Sequence, residues 1–329
     1  MQINFIFRFA QTIIFCKNMP QREKIATIVC KYRKFFVSLP HIMQTVTQLK
    51  KYIPSLRLRT LPLSVSGIIL GAGLAWPIDW YVFGWAILTT LSLQILSNLS
   101  NELGDALKGT DTEQHGRAAY GMQAGTITVA EMKKMIGVFI FLSVVFGSAL
   151  VLTAFDTFLC AEAMVFLGLG ALAIVGAMTY TLGKHNYGYK GLGDLGVFLF
   201  FGLLSTMGSY YLQTKTLTPE VVLAAVAIAM PNVGALNLNN VRDIDNDLKH
   251  GKRTMAARLG KTGGKIYHTL LMAVCFGLFV YLQKWWVLCA LPVIVWHVWY
   301  IFRHEGHELD IQMPVLMFTT LGIAVLAIL

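Results

Sequence analysis

Charged side chains are scarce in this sequence: 27 Lys and Arg with 17 Asp and Glu make up 13% of 329 residues. An ordinary soluble domain is about 25% charged, so a soluble globule is the wrong class. Cysteine spacing is uninformative. Cys16, Cys30, Cys160, Cys275 and Cys289 form no C-x-x-C pair and sit mostly in apolar stretches, against a zinc site or disulfide framework. Gly191-Leu-Gly193 lacks the Lys-Ser/Thr ending of a phosphate-binding loop, and nucleotide binding is not supported. The Asp243–Asp247 run lacks the D-x-D-x-D-G order of a calcium loop. No small-residue cleavage site follows the apolar stretch at 3–16, so a cleavable signal peptide is not expected. His304 and His307, near the last loop, read as solvated rather than as metal ligands.

Apolar residues are what the chain has in excess, at 56% with a mean hydropathy of +0.60. Runs approaching the roughly 20 residues needed to span a bilayer fall at 61–78, 80–100, 135–155, 160–182, 194–212, 219–240, 267–283, 286–302 and 312–329. The expected fold is all-α, a polytopic membrane protein of about nine transmembrane helices.

The formal net charge of +10 looks like a nucleic-acid signal until it is located. Residues 1–59 hold 11 Lys and Arg against the single acid Glu23, and the remainder holds 16 of each sign. The basic excess therefore belongs to an N-terminal extension, 1–45, ahead of a membrane domain at 46–329. It implies no nucleic-acid partner. Met43 is the expected natural start, with an amphipathic helix on an anionic membrane surface as the alternative for 1–42.

Loops alternate in character. Pro77–Asp79, Phe155–Glu162, Gln213–Glu220 and Gln283–Lys284 are short and hold only Lys215 and Lys284 as basic residues. The stretches 101–134, 183–193, 241–266 and 303–311 are long, polar and rich in Lys and Arg. The positive-inside rule then puts the N-terminus and the long loops in the cytoplasm.

Two clusters carry the chemistry, each closing a span on the long-loop side. The first reads Asn101-Glu102-Leu-Gly-Asp105-Ala-Leu-Lys108-Gly109-Thr-Asp111, and a helix puts Asn101, Asp105 and Lys108 on one face. Gly109 can break that helix and return Asp111 to the same mouth. The second reads Asn239-Asn240-Val-Arg242-Asp243-Ile-Asp245-Asn-Asp247, with Asn239, Asp243 and Asp247 at four-residue spacing. Either cluster alone is ordinarily a solvated helix end. Together they make two facing acidic groups, and like charges 4 Å apart repel by about 4 kcal/mol at an effective dielectric near 20. Mg²⁺ relieves that repulsion, favouring a few carboxylates plus substrate phosphate oxygens. The interleaved Lys108, Arg117, Arg242, Lys252 and Arg253 suit a diphosphate. Acids mixed with bases fit metal plus diphosphate better than the uninterrupted acidic path of a divalent-cation transporter.

On these residues the chain resembles the UbiA superfamily of membrane prenyltransferases, which carry two Asp-rich motifs on cytoplasmic helix ends. Gln94-Ile-Leu-Ser-Asn-Leu-Ser-Asn101 through Lys108-Gly-Thr-Asp111, Gly121-Met-Gln123-Ala-Gly125, Tyr180-Thr-Leu-Gly and Gly188-Tyr-Lys-Gly-Leu-Gly-Asp194 carry the likeness. Leu238-Asn-Asn-Val-Arg-Asp-Ile-Asp245, Gly251-Lys-Arg-Thr254 and Arg59-Thr-Leu-Pro62 complete it, over roughly 55–329. These stretches are most similar to the branch that prenylates 1,4-dihydroxy-2-naphthoate. Glu102 departs from the usual Asp after Asn, with metal geometry the expected casualty. Asp111 follows Asp105 by six residues rather than four, which fits the naphthoate branch.

The resemblance implies helices round a central cavity open to lipid. It also implies Mg²⁺ held by Asn101, Asp105 and Asp111 and by Asn239, Asp243 and Asp247, with Asp105, Asp111, Asp243 and Asp247 catalytic. Lys108, Arg117, Arg242 and Lys252 would meet the diphosphate. Gln123 and Tyr180 would orient the reacting groups, although Tyr180 also suits an interfacial belt. The implied reaction moves a polyprenyl group from polyprenyl diphosphate to 1,4-dihydroxy-2-naphthoate with decarboxylation, giving demethylmenaquinone. Other acceptors, 4-hydroxybenzoate or haem, are the alternatives.

Overall fold

A computed structural model describes residues 20, 50–109, 120–183 and 186–329. Pro54–Leu329 is one compact unit, and the membrane helices and the site they build belong to it. The expectations for 1–42, Asp111 and Arg117 fall outside the described residues.

Nine principal helices succeed one another among the described residues: α1 Leu61–Leu74, α2 Trp80–Lys108, α3 Val129–Phe155, α4 Ala161–Thr179, α5 Gly193–Thr214, α6 Pro219–Arg242, α7 Met255–Tyr281, α8 Trp285–Arg303 and α9 Gly306–Leu326. They coincide in order with the nine apolar runs. Eight are long and apolar enough to cross a membrane. The exception is α1, whose 14 residues reach only about 21 Å at 1.5 Å each. Short turns at Ile53–Leu56 and Leu58–Thr60 precede it and deliver Ser55, Arg57 and Arg59 to the site.

Local chemistry sets the starts and stops. Thr128 and Glu131 form a reciprocal capping box at the head of α3. Thr218 and Thr254 cap α6 and α7 with their hydroxyls. Gly109 ends α2 at φ 73°, a conformation that costs glycine nothing, so the polypeptide leaves the helix just past Lys108.

In a bilayer, helices associate through close packing rather than by escaping water, so small residues sit at the crossings. Gly67 and Gly71 of α1 meet Ser205, Thr206 and Ser209 of α5, and Gly202 meets Ala229 of α6. Ser209 donates to the Ile68 carbonyl at 2.9 Å across the first crossing. Helix α6 is the most buried span and packs along α7. His268 and His297 stand within 3.0 Å of each other in the core, linking α7 to α8, and His297 reaches Gln312 of α9 at 2.7 Å. Trp76, Trp80, Tyr81, Tyr281, Trp285 and Trp286 are exposed around the short-loop ends, where an interfacial aromatic belt belongs.

Candidate active site

A cavity of about 310 Å³ lies between α1, α2, α3, α4, α5, α6 and α9. Its walls are apolar over most of their length, with Leu63, Ile68, Leu150, Phe166, Phe200 and Met317 among them. Phe200 belongs to the π-helical stretch Phe198–Leu204 of α5, a distortion that tends to mark functional segments. At one end the lining turns polar, with Arg57, Arg59, Asn98, Asn101, Tyr120, Tyr180 and Asn239. Asn101 and Asn239 open the two sequence clusters, so both motifs meet one cavity.

The first motif runs along the last turns of α2. Asp105 accepts a hydrogen bond from the Tyr189 hydroxyl at 2.8 Å. Lys108 donates to the Thr181 carbonyl at 2.8 Å and carries its ammonium 3.6 Å above the Tyr189 ring. The Thr181 hydroxyl lies 3.3 Å from the Asn101 side-chain oxygen. Glu102 is one residue on from Asn101, and a helix turns about 100° per residue. Its fully buried carboxylate accordingly points away from Asn101, accepting from Ser55 Oγ at 3.0 Å and the Met122 amide at 2.8 Å. Glu102 therefore pins the 120–127 turn to the segment before α1, a structural job that the expected effect on metal geometry did not anticipate. Gln123 lies beside Met122 in that turn, outside the cavity lining.

The second motif bends where the sequence suggests a continuous face. Helix α6 stops at Arg242, Asp243 takes a junction conformation, and Ile244–Lys249 forms a separate short helix. The four-residue register survives the bend: the Asp243 amide donates to Asn239 O at 3.1 Å and the Asp247 amide to Asp243 O at 2.8 Å. Arg242 is buried, and its guanidinium donates to Asn239, to both oxygens of Asp243, and to Asp310.

Lys252 joins the halves. Its ammonium lies 3.2 Å from Asp247 Oδ1 and also feels Asp105, Tyr180 and Tyr189. Burial alone would lower this lysine; Asp247 and Asp105 outweigh it and hold the group above its ordinary range. Burial pushes the Asp247 carboxyl up to about 6, Lys252 opposing and Asp243 and Asp105 adding to the rise. Tyr180 is raised by burial and stays a neutral phenol on the cavity wall.

The donor set is all oxygen, which suits a hard cation. Asp247 Oδ2 is buried and accepts no hydrogen bond, an orphan that a cation would satisfy. No three His, Cys, Asp or Glu side chains converge on one point among the described residues, so ligation needs the Asn oxygens or Asp111. Tyr189, Asp310 and Ser55 join the site without a motif to announce them. Only the Gly188-Tyr-Lys run, already part of the family likeness, hinted at the first.

Membrane-spanning helices wrapped round an apolar cavity, its polar end lined by Arg57, Arg59 and the leading Asn101 and Asn239 of the two acidic motifs, define an integral-membrane enzyme acting on an amphiphile. The chain belongs to the UbiA prenyltransferase family, whose profile matches residues 61–322. It is 42% identical over 271 residues to the 1,4-dihydroxy-2-naphthoate octaprenyltransferase of Escherichia coli (strain K12), covering 79% of this chain and 87% of that one. Similarity to the enzyme of the same name from Haemophilus influenzae is 40% over 232 residues, 69% of this chain and 75% of that one. In fold it is similar to a UbiA homolog from Aeropyrum pernix K1, with a TM-score of 0.61, 16% identity, and 83% and 97% of the two chains covered. A UbiA homolog from Archaeoglobus fulgidus bound to DMAPP and Mg²⁺ gives a TM-score of 0.54 at 16% identity, over 84% and 86%.

Proposed function

We propose that the protein transfers a polyprenyl group from polyprenyl diphosphate to 1,4-dihydroxy-2-naphthoate, releasing diphosphate and CO₂ and giving demethylmenaquinone in its reduced form. The observation that carries the acceptor is the similarity, over 79% of the chain, to enzymes named for that substrate. The geometry supports the donor: a polar mouth for the diphosphate continues into an apolar cavity for its tail.

Asn101, Asp105 and Asp111 would hold one Mg²⁺ in this reading, and Asn239, Asp243 and Asp247 the other. Bound there, Mg²⁺ would supply positive charge to the diphosphate oxygens. Lys108, Arg117, Arg242 and Lys252 supply fixed positive charge to the same oxygens. Tyr180 lines the cavity, where an aromatic face would stabilise cationic character at the allylic carbon. Gln123 orients the acceptor from the turn that Glu102 anchors. Apolar walls keep water from the allylic cation, so the electron-rich ring is the nucleophile within reach.

Orientation follows charge. The long, basic loops and both motifs face the cytoplasm of a bacterial cell membrane, with the aromatic belt on the far side. The test supplies farnesyl diphosphate and Mg²⁺ to the purified chain with 1,4-dihydroxy-2-naphthoate, 4-hydroxybenzoate or haem. The naphthoate is expected to react far faster, since several well-buried ring carbons are worth about 1–3 kcal/mol of discrimination. A faster reaction with 4-hydroxybenzoate would overturn the acceptor.

A further inference from the structure

The Arg242 guanidinium contacts two of the three residues that the proposed function gives to the second Mg²⁺. Its Nε donates to Asp243 Oδ1 at 2.8 Å, and its Nη2 donates to Asp243 Oδ2 and to Asn239 Oδ1, each at 2.5 Å. A cation bound by Asn239 and Asp243 needs those same oxygens. Its third nitrogen, Nη1, donates to Asp310, a residue outside both motifs, in the turn that opens α9. His307 Nδ1 lies 3.7 Å from the other oxygen of Asp310. One buried guanidinium thus has two posts: the motif on one edge and Asp310 on the other.

We propose that Asp310 is a positioning residue for the metal end of the site, holding the Arg242 guanidinium so that Mg²⁺ can take Asn239 and Asp243 from it. With Asp310 present, the arginine keeps a carboxylate partner while it yields the motif, and its freed edge turns to the substrate diphosphate. Without Asp310, Asp243 is the one carboxylate among the described residues left to a buried guanidinium, and the arginine competes with the metal. This rests on the reading that Asn239 and Asp243 ligate Mg²⁺.

The experiment measures the thermal unfolding midpoint of the full chain in detergent against Mg²⁺ concentration, with neither diphosphate nor acceptor present. Partners that orient metal ligands change affinity by about 10–100-fold. Asp310→Asn should therefore raise the half-saturating Mg²⁺ roughly tenfold. Arg242→Gln removes the competitor and should lower it. Loss of mere packing would shift both the same way, so the opposite signs are the signature. In turnover assays Asp310→Asn should raise the Mg²⁺ needed for half-maximal rate while kcat returns at high Mg²⁺.

Asp243→Asn separates the two claims. If it keeps the wild-type Mg²⁺ response, the metal reading falls. If it loses the response while Asp310→Asn titrates like wild type, the role of Asp310 falls and the metal site stands. Should Asp310→Asn fail to accumulate, Arg242→Gln decides: unchanged or weaker Mg²⁺ binding overturns the proposal.

Discussion

Replacing Lys252 by Met strips the partner from a deeply buried carboxylate of the second motif. Asp247 is 1% exposed, and the 3.2 Å separation from the Lys252 ammonium corresponds to about 5 kcal/mol at an effective dielectric of 20. Breaking a buried pair by removing one member costs about 3–5 kcal/mol in proteins, in line with that figure. Protonation offers an escape. The Asp247 carboxyl already titrates at about 6 in the folded chain, against an ordinary 3.8, and losing Lys252 moves it higher still. A folded state that binds the proton more tightly than the unfolded chain is most stable at low pH and loses stability as pH rises through the folded value. The penalty of the substitution should therefore be small at pH 5, where Asp247 is protonated in both proteins. Above pH 6 it grows by roughly 1.4 kcal/mol per unit, reaching about 3 kcal/mol at pH 8. Unfolding midpoints in detergent with EDTA, from pH 5 to pH 9, read this directly. A penalty that is flat with pH, or largest at pH 5, would refute the reasoning.

Asp105→Asn and Asp243→Asn should each cut turnover more than a hundredfold while membrane yield is preserved, and wild-type activity of either at limiting Mg²⁺ would sink the paired-metal reading. Gly71→Ala would put a methyl 2.2 Å from the Thr206 carbonyl oxygen, so α1 and α5 must part. The expected loss is about 1–3 kcal/mol in detergent unfolding. Glu102→Ala leaves the Ser55 hydroxyl and the Met122 amide without their acceptor, at about 1–3 kcal/mol each. Faster hydrogen exchange confined to the 120–127 turn is its expected signature, and unchanged exchange there would show that Glu102 anchors nothing.

Membrane class and helix order were readable in the sequence because each depends on a local property, an apolar run or a broken one. The first motif was readable for the same reason: Asn101, Asp105 and Lys108 share a face of a real helix, and Gly109 ends it. The second kept its register through a bend at Asp243 that no local signal marked. Tyr189 bonds Asp105 across 84 positions, Asp310 meets Arg242 across 68, and Ser55 meets Glu102 across 47. Contacts of that range are products of packing, and a polar residue in a polar loop looks solvated until the fold delivers its partner. Glu102 is the sharpest instance. Its place in the motif suggested an effect on metal geometry, yet a single helical step of about 100° turns it from Asn101 toward Ser55 and the Met122 amide.

The most direct test of the assigned reaction is CO₂ release. The purified chain is given farnesyl diphosphate, Mg²⁺ and 1,4-dihydroxy-2-naphthoate labelled in its carboxyl carbon, and labelled CO₂ is counted against diphosphate. The expected result is one CO₂ for each diphosphate, with no release when Mg²⁺ is chelated by EDTA. Diphosphate released without CO₂, or prenylated product that keeps the label, would contradict the assignment.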